Sequence, residues 1–263
     1  MVNYAKKFGF SKELLEKWQD KEIFLKGKKD INIILVHGWS SIIRQVLPLG
    51  KQLNKKGYWV SIPKLLGHSS RPEDLESVTG DDWLKNIIYE IKKQKQKNKT
   101  HKIILVGISM GGNLCLLASL KEKVDGIVLI GTPVHLQGHW SIKIFSIIMP
   151  LFKKYVKKKT PKGVIVDKSL SYQYFPTKNM KEVLLVIKKA VFSLYKVTSP
   201  ILILQAKNDF FVTKYSPWVI YKNVGSKFKE THWIHTESEN HVPQENIEID
   251  KVVEKINNFI KKL

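Results

Sequence analysis

The six residues Gly107-Ile108-Ser109-Met110-Gly111-Gly112 place a serine between small residues two positions before and two after it. The apolar run Lys102–Val106 precedes them and reads as a buried strand; Met110–Leu120 follows and reads as an apolar helix. A chain that turns this sharply from strand to helix holds the serine in a strained conformation with its hydroxyl exposed, so its neighbours must lack bulk. The new helix also points its positive end at charge developing beside the serine. This is the setting of a nucleophile. The competing reading is a glycine-rich turn with an idle serine, and the flanking strand and helix argue against it.

A serine hydroxyl is a poor nucleophile at neutral pH and needs a base. After a strand–turn–helix serine, an acid and then a histidine follow along the chain. Of eight histidines, His241 lies late, between Glu237-Ser238-Glu239-Asn240 and Val242-Pro243, on a loop leading to the last helix. His232 and His235 fall in or beside the last expected strand and read as surface or packing residues. The acid that holds the imidazole in its working tautomer is expected at Asp209, just past the strand Ile201–Gln205. Asp167 and Asp250 fall in an insertion and in the last helix, while Glu237 or Glu239 remains a local alternative. Two main-chain N–H groups are needed for the oxyanion: Met110, directly after the nucleophile, and Trp39, in His37-Gly38-Trp39-Ser40 after the first buried strand. Gly38 permits close approach, and His37 reads as a brace for that loop. Nothing in this chemistry requires a cofactor or a metal.

These residues need a parallel sheet to carry them. Ile31–Val36 is a near-continuous apolar run, as a strand buried on both faces should be. Tyr58–Ile62, Val124–Ile130, Ile201–Gln205 and Lys227–Ile234 read as further strands. Arg44–Lys55, Asp81–Lys97 and Gln244–Lys262 read as helices. Residues 1–30 suggest a helix near Lys12–Lys21 and a short edge strand near Glu22–Leu25. From Pro133 to Ser199 the alternation lapses into an apolar, aromatic stretch with a lysine cluster at 153–159. About 65 residues between two strands exceed a simple loop. The expected organisation is a core of residues 1–132 and 200–263 with a mostly helical cap over 133–199.

The chain has 263 residues, 43% of them hydrophobic, enough for one α/β domain with an insertion. Its one cysteine, Cys115, excludes an internal disulfide framework and reads as a core residue. No apolar leader is visible at the N-terminus, and a cytoplasmic location is the expectation. The net charge of +22 raises nucleic acid as a partner, yet Arg44 and Arg71 are the only arginines among 45 basic residues. Bidentate phosphate and base recognition favours arginine, so no nucleic-acid partner is expected. The lysines are spread along the chain and read mainly as solvated surface, with association with anionic lipid surfaces as the minor alternative.

With these segments assembled, the chain resembles the α/β-hydrolase superfamily, and within it the bacterial carboxylesterase and monoacylglycerol-lipase group. The resemblance runs from about Asn32 to the C-terminus. It rests on His37-Gly38-Trp39, Ile62-Pro63-Lys64-Leu65-Leu66-Gly67-His68, Asp81-Asp82-Trp83, the turn at Ser109, Gln205-Ala206-Lys207-Asn208-Asp209 and Asn240-His241-Val242. It implies an α/β-hydrolase fold and a triad of Ser109, Asp209 and His241, with Trp39 and Met110 as oxyanion donors. The expected reaction is hydrolysis of a carboxylic ester through an acyl-enzyme, and the apolar insertion favours short- to medium-chain acyl groups or monoacylglycerols. Acyl transfer on the same triad and a silent, hydrolase-like receptor are the alternatives. The chain departs from the family at Ser69-Ser70, where glycine commonly follows the Gly-His pair.

Overall fold

The computed structural model describes residues 21–136, 138–158, 170–235 and 249–263. Strands β1 (Ile23–Leu25), β2 (Ile31–Val36), β3 (Trp59–Ile62), β4 (Lys102–Ile108), β5 (Gly126–Ile130), β8 (Ile201–Ala206) and β9 (Lys229–Ile234) form one sheet. Their order is β1-β3-β2-β4-β5-β8-β9. Only β1 runs antiparallel, on the edge beside β3; the other pairs are parallel.

Alternation along each strand divides the core in two. Ile34, Val36, Leu105 and Leu129 face a layer built from α2 (Gly80–Lys97), α3 (Met110–Ser119), α5 (Thr177–Phe192) and α6 (Ser216–Asn223). Ile33, Leu35, Val106 and Val128 face α1 (Ile43–Lys55) and α7 (Ile249–Ile260). Both faces are dry, which explains why the central strands are continuous apolar runs. Cys115 is buried in the first layer, and burial pushes its thiol pKa up, away from reactivity.

Between β5 and β8 lie α4 (His139–Phe152), a small antiparallel pair of β6 (Tyr155–Lys157) with β7 (Tyr174–Pro176), and α5. Two helices and a short strand pair thus occupy the described part of this stretch, and strands of three residues leave no mark in the sequence pattern. The start of α5 is deeply seated, and Val183, Val186 and Ile187 join the first core layer. The expected N-terminal helix and the segment holding Asp167 lie outside the described residues. Helix α6 had no counterpart in the sequence reading, because eight residues opening on Ser216-Pro217 offer little periodicity.

Chain order sets where function can sit. From β2 the chain goes outward to β3 and then returns across β2 to β4, so the order reverses between β2 and β4. In such sheets a crevice opens at the carboxyl ends of the strands at that reversal. The loop after β2 and the turn after β4 therefore meet there.

The meeting is tight. A Cβ on Gly111 would overlap the Val36 carbonyl, one on Gly107 would press on Gly111 and Gly112, and one on Gly112 would overlap the Thr132 side chain. We expect Gly112→Ala to cost about 1–3 kcal/mol by overpacking. Combining it with Thr132→Ala should restore part of that loss, measured by urea denaturation of both variants.

Candidate active site

Ser109 stands between β4 and α3 with φ 53° and ψ −124°, outside the regions open to ordinary residues. Its N–H donates to the Ile130 carbonyl at 2.9 Å and its carbonyl accepts from Gly112 N–H at 2.9 Å, so both sides of the residue are clamped. Met110 is the first residue of α3, where an N–H has no acceptor within the helix. Gly38 lies against the serine, and a Cβ there would stand 3.4 Å from Ser109 Cβ. The structure thus brings Ser109, Met110 and the Gly38-Trp39 segment together.

A buried polar network holds that segment. His37 Nδ1 donates to the Gly38 carbonyl at 2.9 Å, and its Nε2 accepts from Leu65 N–H at 3.3 Å. Ser41 Oγ lies 3.2 Å from His37 Nδ1 and donates to the Gly38 carbonyl at 3.0 Å. His68 Nε2 accepts from Ser40 N–H at 3.0 Å while its Nδ1 donates to the Leu66 carbonyl at 3.1 Å. Each ring has one nitrogen facing an N–H, so both are neutral with the proton on Nδ1. Burial lowers the His37 pKa to about 4; burial and then the neighbouring His37 hold His68 well below its usual value. The rings stand edge to face at 5.0 Å, and Tyr172 stacks on His68.

This network gives work to two motifs that carry no reaction chemistry. In Asp81-Asp82-Trp83, Asp82 accepts from Thr79 N–H at 3.0 Å and Thr79 Oγ1 accepts from Asp82 N–H, a reciprocal cap on α2. Asp81 pairs with Lys189, and Trp83 Nε1 donates to the Leu66 carbonyl at 2.9 Å. In the Gly67-His68 turn, Tyr172 Oη donates to the Gly67 carbonyl and accepts from Ser70 N–H. Ser69 takes φ 52°, a value suited to glycine. Its Oγ accepts from Ile43 N–H at 2.9 Å, capping α1, whose own N-cap residue Ile42 supplies no side-chain bond.

Asp209 follows β8 and is buried, as a short turn after the strand requires. Oδ1 accepts from Phe211 N–H at 2.8 Å and Val212 N–H at 2.9 Å, and Oδ2 accepts from Gln205 Nε2 at 2.7 Å. These three bonds orient the carboxylate. Ser109 and Asp209 leave the same sheet edge from β4 and β8, with β5 between them, or about 10 Å between strand axes. His241, Glu237 and Glu239 lie outside the described residues. His232 is half-exposed, 3.4 Å from Glu230, and His235 is exposed.

Four contributors escape a sequence reading: His68, Tyr172, Gln205 and Asn179. Asn179 Oδ1 accepts from Trp39 Nε1 at 2.6 Å. Gln205 carries a readable signal, four residues before Asp209 at the end of a strand, and His68 closes the Gly67-His68 motif, though its role is not readable there.

A mostly parallel sheet with a strained serine between β4 and α3, at the strands' carboxyl edge, defines an α/β-hydrolase. The chain belongs to the Hydrolase_4 family, described as serine aminopeptidase, S33, whose profile matches residues 27–237. It is 26% identical over 238 residues to a carboxylesterase of Bacillus subtilis (strain 168), covering 89% of this chain and 94% of that one. It is 27% identical over 201 residues to a thermostable monoacylglycerol lipase of Bacillus sp. (strain H-257), covering 76% and 79%. Among solved structures, one described with the metagenome-derived lipolytic enzymes LipS and LipT superposes with TM-score 0.81 at 22% identity, covering 93% and 98%. A soluble variant of the Saccharomyces cerevisiae monoglyceride lipase, bound to a substrate analog, superposes with TM-score 0.73 at 17% identity, covering 92% and 90%.

The two buried imidazoles predict acid sensitivity. Their folded pKa values lie below the ordinary 6.5, so the unfolded chain binds protons that the folded chain refuses as pH drops. Stability is intact above about pH 6.5 and is lost toward pH 4. His37 alone accounts for about 3 kcal/mol over that range. Urea midpoints measured from pH 7.5 to 4.5 should fall steeply, and His68→Gln should flatten that slope while starting lower.

Proposed function

We propose that the chain hydrolyses small carboxylic esters, with short to medium acyl chains or as monoacylglycerols, through an acyl-enzyme on Ser109. Ser109 Oγ attacks the acyl carbonyl while His241 takes its proton and Asp209 orients the ring. The oxyanion lies against the N–H groups of Met110 and Trp39. His241 then protonates the leaving alcohol, and water releases the acid by the reverse steps. The observation that carries this reading is the Ser109 backbone at φ 53°, a strain with no structural benefit of its own, maintained beside the Gly38-Trp39 segment.

The family description names an aminopeptidase, whose substrates present an ammonium group. Holding an ammonium calls for acceptors or carboxylates. Between Asp125 and Asp167, the stretch that includes α4, there is no acidic residue and there are seven lysines. Together with the esterase and lipase names of the relatives, this favours a neutral ester. Acyl transfer and a silent receptor remain the rival readings; nothing specific favours either.

In this reading residues 133–199 form the cap that faces the acyl chain, supported by the contact of Trp39 with Phe175 at 4.6 Å between ring centroids. The cap also supports a lipid-surface partner. Ile144, Ile147, Ile148 and Leu151 recur at helical spacing on α4 and are exposed, Leu151 at 79% and the adjacent Phe152 at 76%. Lys143 lies on the same helix, and Lys153, Lys154 and Lys157 follow it along the chain. An exposed apolar helix face with lysines close by in sequence suits an anionic lipid surface. Among the described residues no helix is long and apolar enough to cross a membrane. We place the protein in the cytoplasm with no nucleic-acid partner; its one buried thiol suits a reducing compartment.

Turnover of a p-nitrophenyl acyl series tests the chemistry. Ser109→Ala should lower kcat by about a thousandfold or more while the fold persists. His241→Ala should be nearly inactive, with His232→Ala and His235→Ala near wild type. Severe loss in His235→Ala with full activity in His241→Ala would overturn the assignment of the base. Chain-length preference should be graded, at about 1–3 kcal/mol per methylene at most.

The surface claim is tested separately. Replacing Lys143, Lys153, Lys154 and Lys157 with Gln should abolish salt-sensitive binding to phosphatidylglycerol vesicles and leave hydrolysis of soluble esters unchanged. Equal binding of wild type to phosphatidylcholine vesicles would refute it.

A further inference from the structure

We propose that Asn179 is a positioning residue for the oxyanion hole, holding the Trp39 main-chain N–H in place through the Trp39 indole. The proposal rests on the reading of Trp39 as the second oxyanion donor.

Trp39 sits between two points of backbone freedom or strain. Gly38, before it, has no Cβ and little torsional restraint; Ser40, after it, is held at φ 56°. The 38–39 peptide carries the proposed donor. Its carbonyl end is held by His37 Nδ1 and Ser41 Oγ, and the next N–H, that of Ser40, by His68 Nε2. An oxyanion donor is effective only when aimed before the charge appears. The Trp39 side chain is a further handle on that peptide, and the one that reaches the insertion.

Two contacts fix that handle. The ring stands edge to face against Phe175 of β7, and its Nε1 donates to Asn179 Oδ1 at 2.6 Å. Asn179 is itself immobilised. It is 1% exposed in the first turn of α5, and its Nδ2 donates to the Leu75 carbonyl at 2.9 Å and the Val78 carbonyl at 3.1 Å. With both amide ends engaged, the group cannot flip without losing three bonds. The start of α5 is pinned further by Thr177 Oγ1, which donates to the Lys153 carbonyl, and in the next turn by Glu182, which accepts from Gly80 N–H at 3.0 Å. The aim of the Trp39 peptide thus depends, beyond His37 and Ser41, on a residue 140 positions away, on the helix that closes the insertion.

The test uses the full chain, with rates normalised to sites titrated by a fluorophosphonate. Asn179→Leu removes the acceptor, and Trp39→Phe removes the donor while keeping a ring against Phe175. Each should lower kcat about tenfold or more with KM changed less than about twofold, and affinity for an alkyl boronic acid should fall in parallel with kcat/KM. The double variant should be no worse than the poorer single one. Asn179→Asp keeps an acceptor and should retain more kcat than Asn179→Leu, whatever its Tm. Full kcat per titrated site in Asn179→Leu, multiplying losses in the double variant, or equal loss in the Asp and Leu variants would overturn the proposal. If Asn179→Leu does not fold, unchanged kcat in Trp39→Phe overturns it. Ser109→Ala separates the two levels: a Ser109→Ala variant that still turns over removes the hydrolase reading itself, whereas an inactive one beside a fully active Asn179→Leu removes only the role of Asn179.

Discussion

Two stretches of main chain, the exit of β2 and the entry of α3, approach so closely that no Cβ fits between them. A Cβ on Gly111 would overlap the Val36 and His37 carbonyls. That contact is what lets the Gly38-Trp39 segment lie against Ser109, and it exists only because the chain order reverses between β2 and β4. The strained serine, the glycines around it and the doubly buried strands that fix the two ends are all conditions for the same approach. Relaxing any of them would separate the nucleophile from the N–H groups proposed to serve it.

Close packing of backbones creates polar groups that water cannot reach, and the second layer of the site answers that problem. His37, His68, Ser41, Tyr172 and Trp83 each take up a main-chain N–H or carbonyl from the loops at the carboxyl edge of the sheet. A neutral imidazole suits this work, since it donates at one nitrogen and accepts at the other. The cost is a dependence on pH built into the scaffold and separate from any titration of the catalytic base. Asp209 is treated in the same way, with two main-chain N–H groups and Gln205 holding the carboxylate.

What the sequence made legible follows from which forces are local. The strand Ile31–Val36 and the helix after Ser109 are written in composition and period, and they appear where expected. The nucleophile turn is legible because its glycines are forced by sterics within six residues. His68 and Asn179 are not, because their work depends on partners 28 and 140 positions away. The β6–β7 pair is equally hidden, since strands of three residues have no period to read. His37 was read as a brace from its neighbours alone, and its bonds to the Gly38 carbonyl and Leu65 N–H give that reading its geometry.

Ser69 shows how a motif can drift without loss. A serine at φ 52° carries backbone strain of about 1–2 kcal/mol that a glycine would not. Its hydroxyl, however, caps α1 at Ile43 from 26 residues away, a service worth about 0.5–2 kcal/mol that glycine cannot supply. The two quantities are of one size and opposite sign. Glycine and serine are therefore close to interchangeable alleles at this position, and a lineage can cross between them in a single neutral step.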